Sequence, residues 1–185
     1  FLFLPQTQQE QLGQQEDVIS RLTHQFHWQN PNVEDFREWV GLFKAKDRKK
    51  TLRERKKAQA SVDKIYHLHG EELTQLHIDK IWRFYQNTIN RKWGQPYLQR
   101  EFFNQMRTTL ADLSIVFFAE KDNEIVAMAL SFQKGSHLYG RYWGCNQSFD
   151  CLHFELCYHR QIELCLQNGW TRFEAGAQGQ HKLKR

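Results

Sequence analysis

SIVFFAEKDNEIVAMALSFQKGSHLYGRYW, residues 114 to 143, is the stretch that decides the fold. Its apolar, β-branched and aromatic residues come in three runs, Ser114–Glu120, Glu124–Gln133 and His137–Trp143. Each is of strand length and follows the two-residue period of a strand. The first two are joined across Lys121-Asp122-Asn123 and the next two across Lys134-Gly135-Ser136. Joins that short and polar leave room only for tight turns, so the segment reads as an antiparallel meander.

Downstream, Asp150 is placed to cap a helix over 151–168, and Gly169 is placed to stop it. A further strand is expected over Trp170–Glu174, followed by glycines at 176 and 179. Upstream, Leu98, Phe102, Met106 and Leu110 fall at four-residue steps and predict a helix. Before it, 71–91 carries a wide apolar stripe of Leu73, Leu76, Ile81, Phe84, Tyr85 and Ile89, the clearest helix in the chain, ended by Gly94 and Pro96. Val62–His69 reads as a strand. From Val33 to about Ala60 the pattern is helical, with Phe36, Trp39, Val40 and Phe43 on one face. The basic run that follows lies on the same helix or on a second one after a break. Asn30-Pro31-Asn32 signals a turn and marks a boundary between two units. A strand is expected over 18–28, where Ile19, Leu22 and Phe26 lie. Residues 6–15 are Gln-rich with weak helical promise, and Phe1–Leu4 reads as a short strand stopped by Pro5.

The chain has 185 residues, 40 % hydrophobic and 25 % charged, a balance that suits a packed globular domain. No apolar run approaches the ~18 residues of a membrane span. Phe1–Pro5 lacks the basic flank and cleavage site of a signal peptide. With no initiating Met and an equally abrupt end, the chain reads as a piece of a longer protein. Cys151, Cys157 and Cys165 fall on one expected helix, where they lack the geometry to cross-link, and with Cys145 they read as reduced thiols of a cytoplasmic protein. The net charge of +5 is local. Lys44–Lys57 holds nine Lys/Arg against Asp47 and Glu54, leaving the rest of the chain mildly acidic. Lys49, Lys50 and Arg53 in this run are candidates for contacting phosphates, of RNA or of an anionic carrier; the alternative is a solvated basic helix.

From Val62 onward the expected order is strand, helix, helix, three meander strands, helix, strand. It matches the layout of the acyl-CoA N-acyltransferase (GNAT) fold up to its fifth strand, an α/β fold with a mixed, mostly antiparallel sheet flanked by helices. On that layout the final helix and hairpin would lie beyond Arg185, leaving the fold truncated at its C-terminus. Several strings resemble the bacterial peptidoglycan biosynthesis/recognition family, related to FemAB peptidyltransferases: Phe26-His27-Trp28, the stretch from Lys92-Trp93-Gly94 to Tyr97-Leu98, and Leu138-Tyr139-Gly140-Arg141-Tyr142-Trp143-Gly144. The most specific are Leu152-His153-Phe154-Glu155-Leu156-Cys157-Tyr158 and Phe173-Glu174-Ala175-Gly176-Ala177-Gln178-Gly179-Gln180-His181-Lys182.

The resemblance implies two GNAT-like halves. Residues 1–32 would be the tail of the first, 33–60 a basic helical connector, and 61–185 most of the second. The implied reaction is transfer of an acyl or aminoacyl group to the amine of a small-molecule or peptide acceptor. It requires no resident cofactor, and its donor would be acetyl-CoA, another acyl-CoA or an aminoacyl-tRNA. In GNAT enzymes a glycine-rich loop before the helix that follows strand four holds the coenzyme A pyrophosphate. Here that stretch, residues 143–150, has one glycine, and Asp150 stands where an anion would bind. This departure points to a donor bound by the other half, or to a donor such as aminoacyl-tRNA.

Such chemistry needs a base for the ammonium proton, donors for the oxyanion and an acid for the leaving group. Glu174 and His181 are the candidate bases and Gln178 an orienting donor, with Lys182 beside them. Equally, this stretch reads as a polar turn with a buried Glu–Lys pair. Glu155, His159 and Glu163 are spaced by four on one helix face: an acid/base row, a metal site with His153 and Cys157, or a solvated face with i,i+4 pairing. No CxxC or HExxH spacing accompanies them, so no metal ligands are assigned. His153-Phe154-Glu155, at the helix start, either packs with the cysteines in the core or, as the family resemblance implies, points into the cleft. Arg141, Tyr142 and Trp143 close the third meander strand and would line the acyl groove; the alternative is an exposed strand end with aromatic packing. Two rivals stand beside the enzyme: an RNA-binding module built on the basic helix, and a catalytically idle domain that binds a cell-wall precursor.

Overall fold

The computed structural model describes residues 6–15, 17, 19, 25–91 and 94–176. Its centre is the meander: β3 (Ser114–Lys121), β4 (Glu124–Lys134) and β5 (His137–Cys145), paired antiparallel. Two-residue turns join them. Asp122 and Asn123 have φ of 52° and 61°, and Gly135 has φ of 61°. Left-handed turn residues match the right-handed twist of the flanking strands. β2 (Lys64–His69) pairs antiparallel with β3 at one edge. On the other side β6 (Arg172–Glu174) runs parallel to β5, and β1 (His27–Gln29) pairs antiparallel with β6. The six-stranded sheet has the order β1-β6-β5-β4-β3-β2.

Helices cover both faces. α4 (Gln75–Arg91) and α5 (Arg100–Gln105) pack Ile78, Ile81, Phe84, Tyr85 and Phe103 against Val116, Phe118, Met128 and Leu130. The opposite face carries α2 (Phe36–Gly41) and a helical run made of α6 (Leu152–Phe154), a π-turn (Glu155–His159) and α7 (Arg160–Gln167). Their Trp39, Leu152, Leu156, Ile162 and Cys165 pack on Phe117, Ala129, Leu138 and Phe173. Because β3 and β4 are covered on both sides, their apolar residues run almost without interruption. Burial raises the Cys165 thiol to about 12, and all four cysteines are free. From β2 to β6 the order of elements is the one expected of the GNAT layout.

Several expectations shift. The helical stretch from Val33 breaks at Leu42, and the basic run forms its own helix, α3 (Ala45–Ala60). The helix expected from Glu71 begins at Gln75 after a 3-10 turn at Gly70–Glu72. The following helix is shorter than its four-residue pattern, since residues 106–110 are turns. The Gln-rich segment contains α1 (Gln6–Leu12). Of the strand expected over 18–28, His27 and Trp28 belong to β1; Ile19 is exposed and outside any strand, and 18 and 20–24 lie outside the described residues, as does Phe1–Leu4. The last strand begins at Arg172 rather than Trp170.

Asp150 does not cap the helix. Cys151 takes the cap position with φ of 64° and no side-chain cap bond, while the Asp150 carboxylate lies 2.5 Å from Lys57 Nζ of α3. The cation across the gap competes for the carboxylate that would otherwise turn onto the helix amides. Gly169 stops the helix as expected, at φ +65°, a conformation that costs a residue with a Cβ. Among the described residues no helix is long and apolar enough to cross a membrane.

Candidate active site where two strands part

β4 and β5 pair in step from Lys134↔His137 to Ser131↔Gly140, then resume at Leu130↔Tyr142, so Arg141 is an extra residue in β5. Such a bulge reverses which face each later residue meets. Leu138 before it and Trp143 after it therefore belong to the same side of the sheet, the α6–α7 side. Tyr142 goes to the α4 side. Gly144 is needed there because a Cβ would lie 2.5 Å from the Phe84 carbonyl oxygen of α4.

The bulge sits where β5 and β6 separate. Among the described residues their pairing covers His137↔Arg172, Leu138↔Phe173 and Tyr139↔Glu174 and goes no further. Arg141 and Glu174 face each other across the opening: Arg141 Nη1 donates to Glu174 Oε1 at 2.9 Å. The side chains are 39 % and 14 % exposed, so the pair is reachable from solvent. The Arg141 guanidinium also lies 5.2 Å from the Tyr139 ring centroid. Trp143 meets His153 edge to face at 5.2 Å, which joins β5 to the start of the helical run. Arg141, Glu174, Trp143 and His153 thus belong to the β5 and β6 strands and the helix that connects them.

Tyr142 is separated from this group. Its hydroxyl contacts that of Tyr97, and its ring packs on Tyr85 at 5.1 Å. Burial, and then the Tyr97 hydrogen bond, push its pKa upward. Gln178, His181 and Lys182 lie outside the described residues. The Glu–Lys pair read at this turn involves Lys182 and so lies outside the described residues; among those described, Glu174 pairs with Arg141.

A second polar centre lies under α3. Glu155 is fully buried in the π-turn. Its Oε1 accepts hydrogen bonds from Arg55 Nε at 3.1 Å and Gln59 Nε2 at 2.8 Å, and Oε2 lies 3.3 Å from His159 Nδ1. Arg160 Nε lies 3.0 Å from Oε1 without forming a hydrogen bond to it, a purely coulombic contact. Arg55 and Arg160 both reach Glu163 Oε2, at 2.6 and 3.1 Å. Burial works to raise the pKa of Glu155, but the His159 hydrogen bond, the Arg55 charge and the Gln59 amide outweigh it and hold it below the usual carboxylate range. Glu155, His159 and Glu163 therefore do not form a solvated face. Glu155 and His159 are buried, and with the partly exposed Glu163 they form one half of a joint whose other half is α3. Among the described residues, no cluster of three or more His, Cys, Asp and Glu is arranged to hold a metal ion.

Arg55 and Gln59 are the residues that sequence reading missed. The available signal was phase: Thr51, Arg55 and Ala58 share one helix face, and Thr51 and Ala58 are buried. Lys49, Lys50 and Arg53 are exposed on α3, with Lys50 3.9 Å from Glu54. A shallow depression at the β2 edge is lined by Ile65, His67, Phe117, Arg160, Glu163 and Gln167, among others. There, burial, and then His69, lower the pKa of His67.

Comparison with solved structures finds the same fold at low sequence identity. "The structure of L-PGS from Bacillus licheniformis" superposes with a TM-score of 0.58 at 8 % identity, covering 83 % of this chain and 44 % of that one. "Crystal Structure of Conserved Protein of Unknown Function from Bacteroides thetaiotaomicron VPI-5482" superposes with a TM-score of 0.61 at 10 % identity, covering 89 % and 54 %. The chain thus spans about half the length of these structures. No curated protein matches it in sequence. The FemAB-like family, described as peptidoglycan biosynthesis/recognition, matches residues 1–185. A match over the whole length, together with the shared fold, makes the chain a member of the FemAB-like family.

Proposed function

We propose that the chain belongs to a peptidoglycan-related transferase that moves an acyl or aminoacyl group onto the amine of a small-molecule or peptide acceptor. The observation that carries this reading is the parting of β5 and β6 at Tyr139↔Glu174, with a bulged, solvent-reachable Arg141 held against a carboxylate. Among the described residues Glu174 Oε1 is engaged by Arg141, and Oε2 has no partner. In this role Glu174 accepts the ammonium proton, freeing the amine lone pair for attack on the donor carbonyl. Arg141 orients the carboxylate. Gln178 and His181, which follow β6 in sequence, supply a donor and a second base. Trp143 and His153 wall the cleft, which also takes in the acyl group.

The family membership and the likeness of fold support the transferase class; the donor is read from the loop. Coenzyme A fits poorly. The single glycine, Gly144, is consumed by the close approach of α4, and Asp150 sits at the helix start. An aminoacyl-tRNA is the preferred donor. On this reading residues 1–32 end a preceding half and lend β1 to the edge of the second half's sheet, while 33–60 connect the two.

The test is turnover by the full-length protein with aminoacyl-tRNA or acetyl-CoA and a peptide amine. Glu174→Gln is expected to lower kcat by about 10²-fold with little change in KM. Unaltered turnover in that variant removes Glu174 from the chemistry. Acceptor binding without turnover from either donor would instead identify a recognition domain.

A further inference from the structure

The joint under α3 turns two residues of that helix inward and leaves a cationic face outward. At 100° per residue, Thr51, Arg55 and Ala58 define the inner side. The opposite side carries Lys46, Lys49, Arg53 and Lys56, all exposed, and Lys57 lies at its border. They recur at three- and four-residue steps over ~15 Å of helix. Asp47 and Glu54, the helix's two acidic residues, both fall on the inner half, so no carboxylate of α3 interrupts the outer row. Among the described residues none of Lys46, Lys49, Arg53 and Lys56 makes an ion pair. Leu52, 49 % exposed, flanks the row between Lys49 and Lys56, and Leu42, just before the helix, is 63 % exposed.

We infer that this outward face of α3 is a docking surface for an anionic lipid bilayer. The warrant is charge complementarity in a particular shape. A straight, uninterrupted row of long cationic side chains on a rigid helix can lie flat on a sheet of phosphate headgroups, each cation near the surface adding to the attraction. Leu52 is short enough to stay among the lysine stems and apolar enough to enter the headgroup boundary. A single-stranded nucleic acid would call for aromatic rings to stack its bases, and α3 has none along its length. This is contact with a surface, and it is compatible with the lack of any spanning helix among the described residues.

The experiment is co-sedimentation of the full-length protein with phosphatidylcholine vesicles, with and without phosphatidylglycerol. Binding is expected only with phosphatidylglycerol, and it should weaken as salt rises. Lys49→Glu with Arg53→Glu should reduce that binding by about tenfold or more. Arg83→Glu with Lys134→Glu, exposed positions off α3 with the same change in net charge, should leave it unchanged. Circular dichroism confirms that both double variants are folded. The proposal is overturned by absence of binding to phosphatidylglycerol vesicles, or by equal loss in both double variants. It is also overturned if duplex RNA binds the α3 face more tightly than the vesicles and displaces the protein from them.

Discussion

Glu155 shows how one carboxylate can join two distant segments. Its oxygens are met by Arg55 and Gln59 from α3 and by His159 from its own helix. Removing the charge leaves two guanidinium groups facing a neutral amide in a buried site. Glu155→Gln is therefore expected to cost about 3 kcal/mol, read as a lower urea midpoint. The pH dependence has a definite sign. Because the folded pKa lies below the ordinary value of 4.5, the ionised Glu155 contributes its full stabilisation above that value. The contribution is lost as pH falls through the lower folded pKa. Wild type and Glu155→Gln should converge in stability across that acidic window, and equal slopes there would show that the carboxylate is not what links the helices. Gly144 sets a steric limit of the same kind. Gly144→Ala places a methyl against the Phe84 backbone, and the resulting displacement of α4 should cost about 1–3 kcal/mol in chemical unfolding.

At the level of elements, α3 is held by its polar inner face as much as by packing, since only Thr51 and Ala58 are buried along its length. Arg55→Ala strips Glu155 and Glu163 of one of the two cations they share, leaving Arg160, and uncovers the Phe36 ring, which the guanidinium overlies at 3.9 Å. Amide hydrogen exchange across α3 should then quicken well before that of β3 and β4, and uniform quickening would mean that α3 does not open on its own. The meander was legible in the sequence because alternation, β-branched residues and two-residue polar joins are all local signals. The bulge at Arg141 was not: nothing local marks where a strand takes an extra residue, so Arg141, Tyr142 and Trp143 read as one group although Tyr142 turns to the other face. The π-turn escaped for a related reason. Its extra residue per turn brings Glu155 and His159 toward α3, while the i,i+4 spacing alone left an acid/base row, a metal site and a solvated helix face open. Asp150 looked like a cap because the competing Lys57 lies on a helix far away in sequence.

For the molecule as a whole, the least legible feature was the closing of the sheet by β1 on β6. Three residues at each end pair across most of the chain, and no sequence period announces such a contact. Trp28 anchors β1, packing edge to face on Trp39 at 6.3 Å. Trp28→Ala should lower stability by about 2 kcal/mol and, by loosening β6, also lower turnover through Glu174. A loss of stability with kcat intact in the folded fraction would separate the edge strand from the cleft. The same pairing has a consequence for how the protein is made. β1 leaves the ribosome roughly 140 residues ahead of its partner, a wait on the order of ten seconds at usual translation speeds. For that interval the segment is an orphan edge, and its three-residue length limits the chance that it recruits the wrong strand from a neighbouring nascent chain.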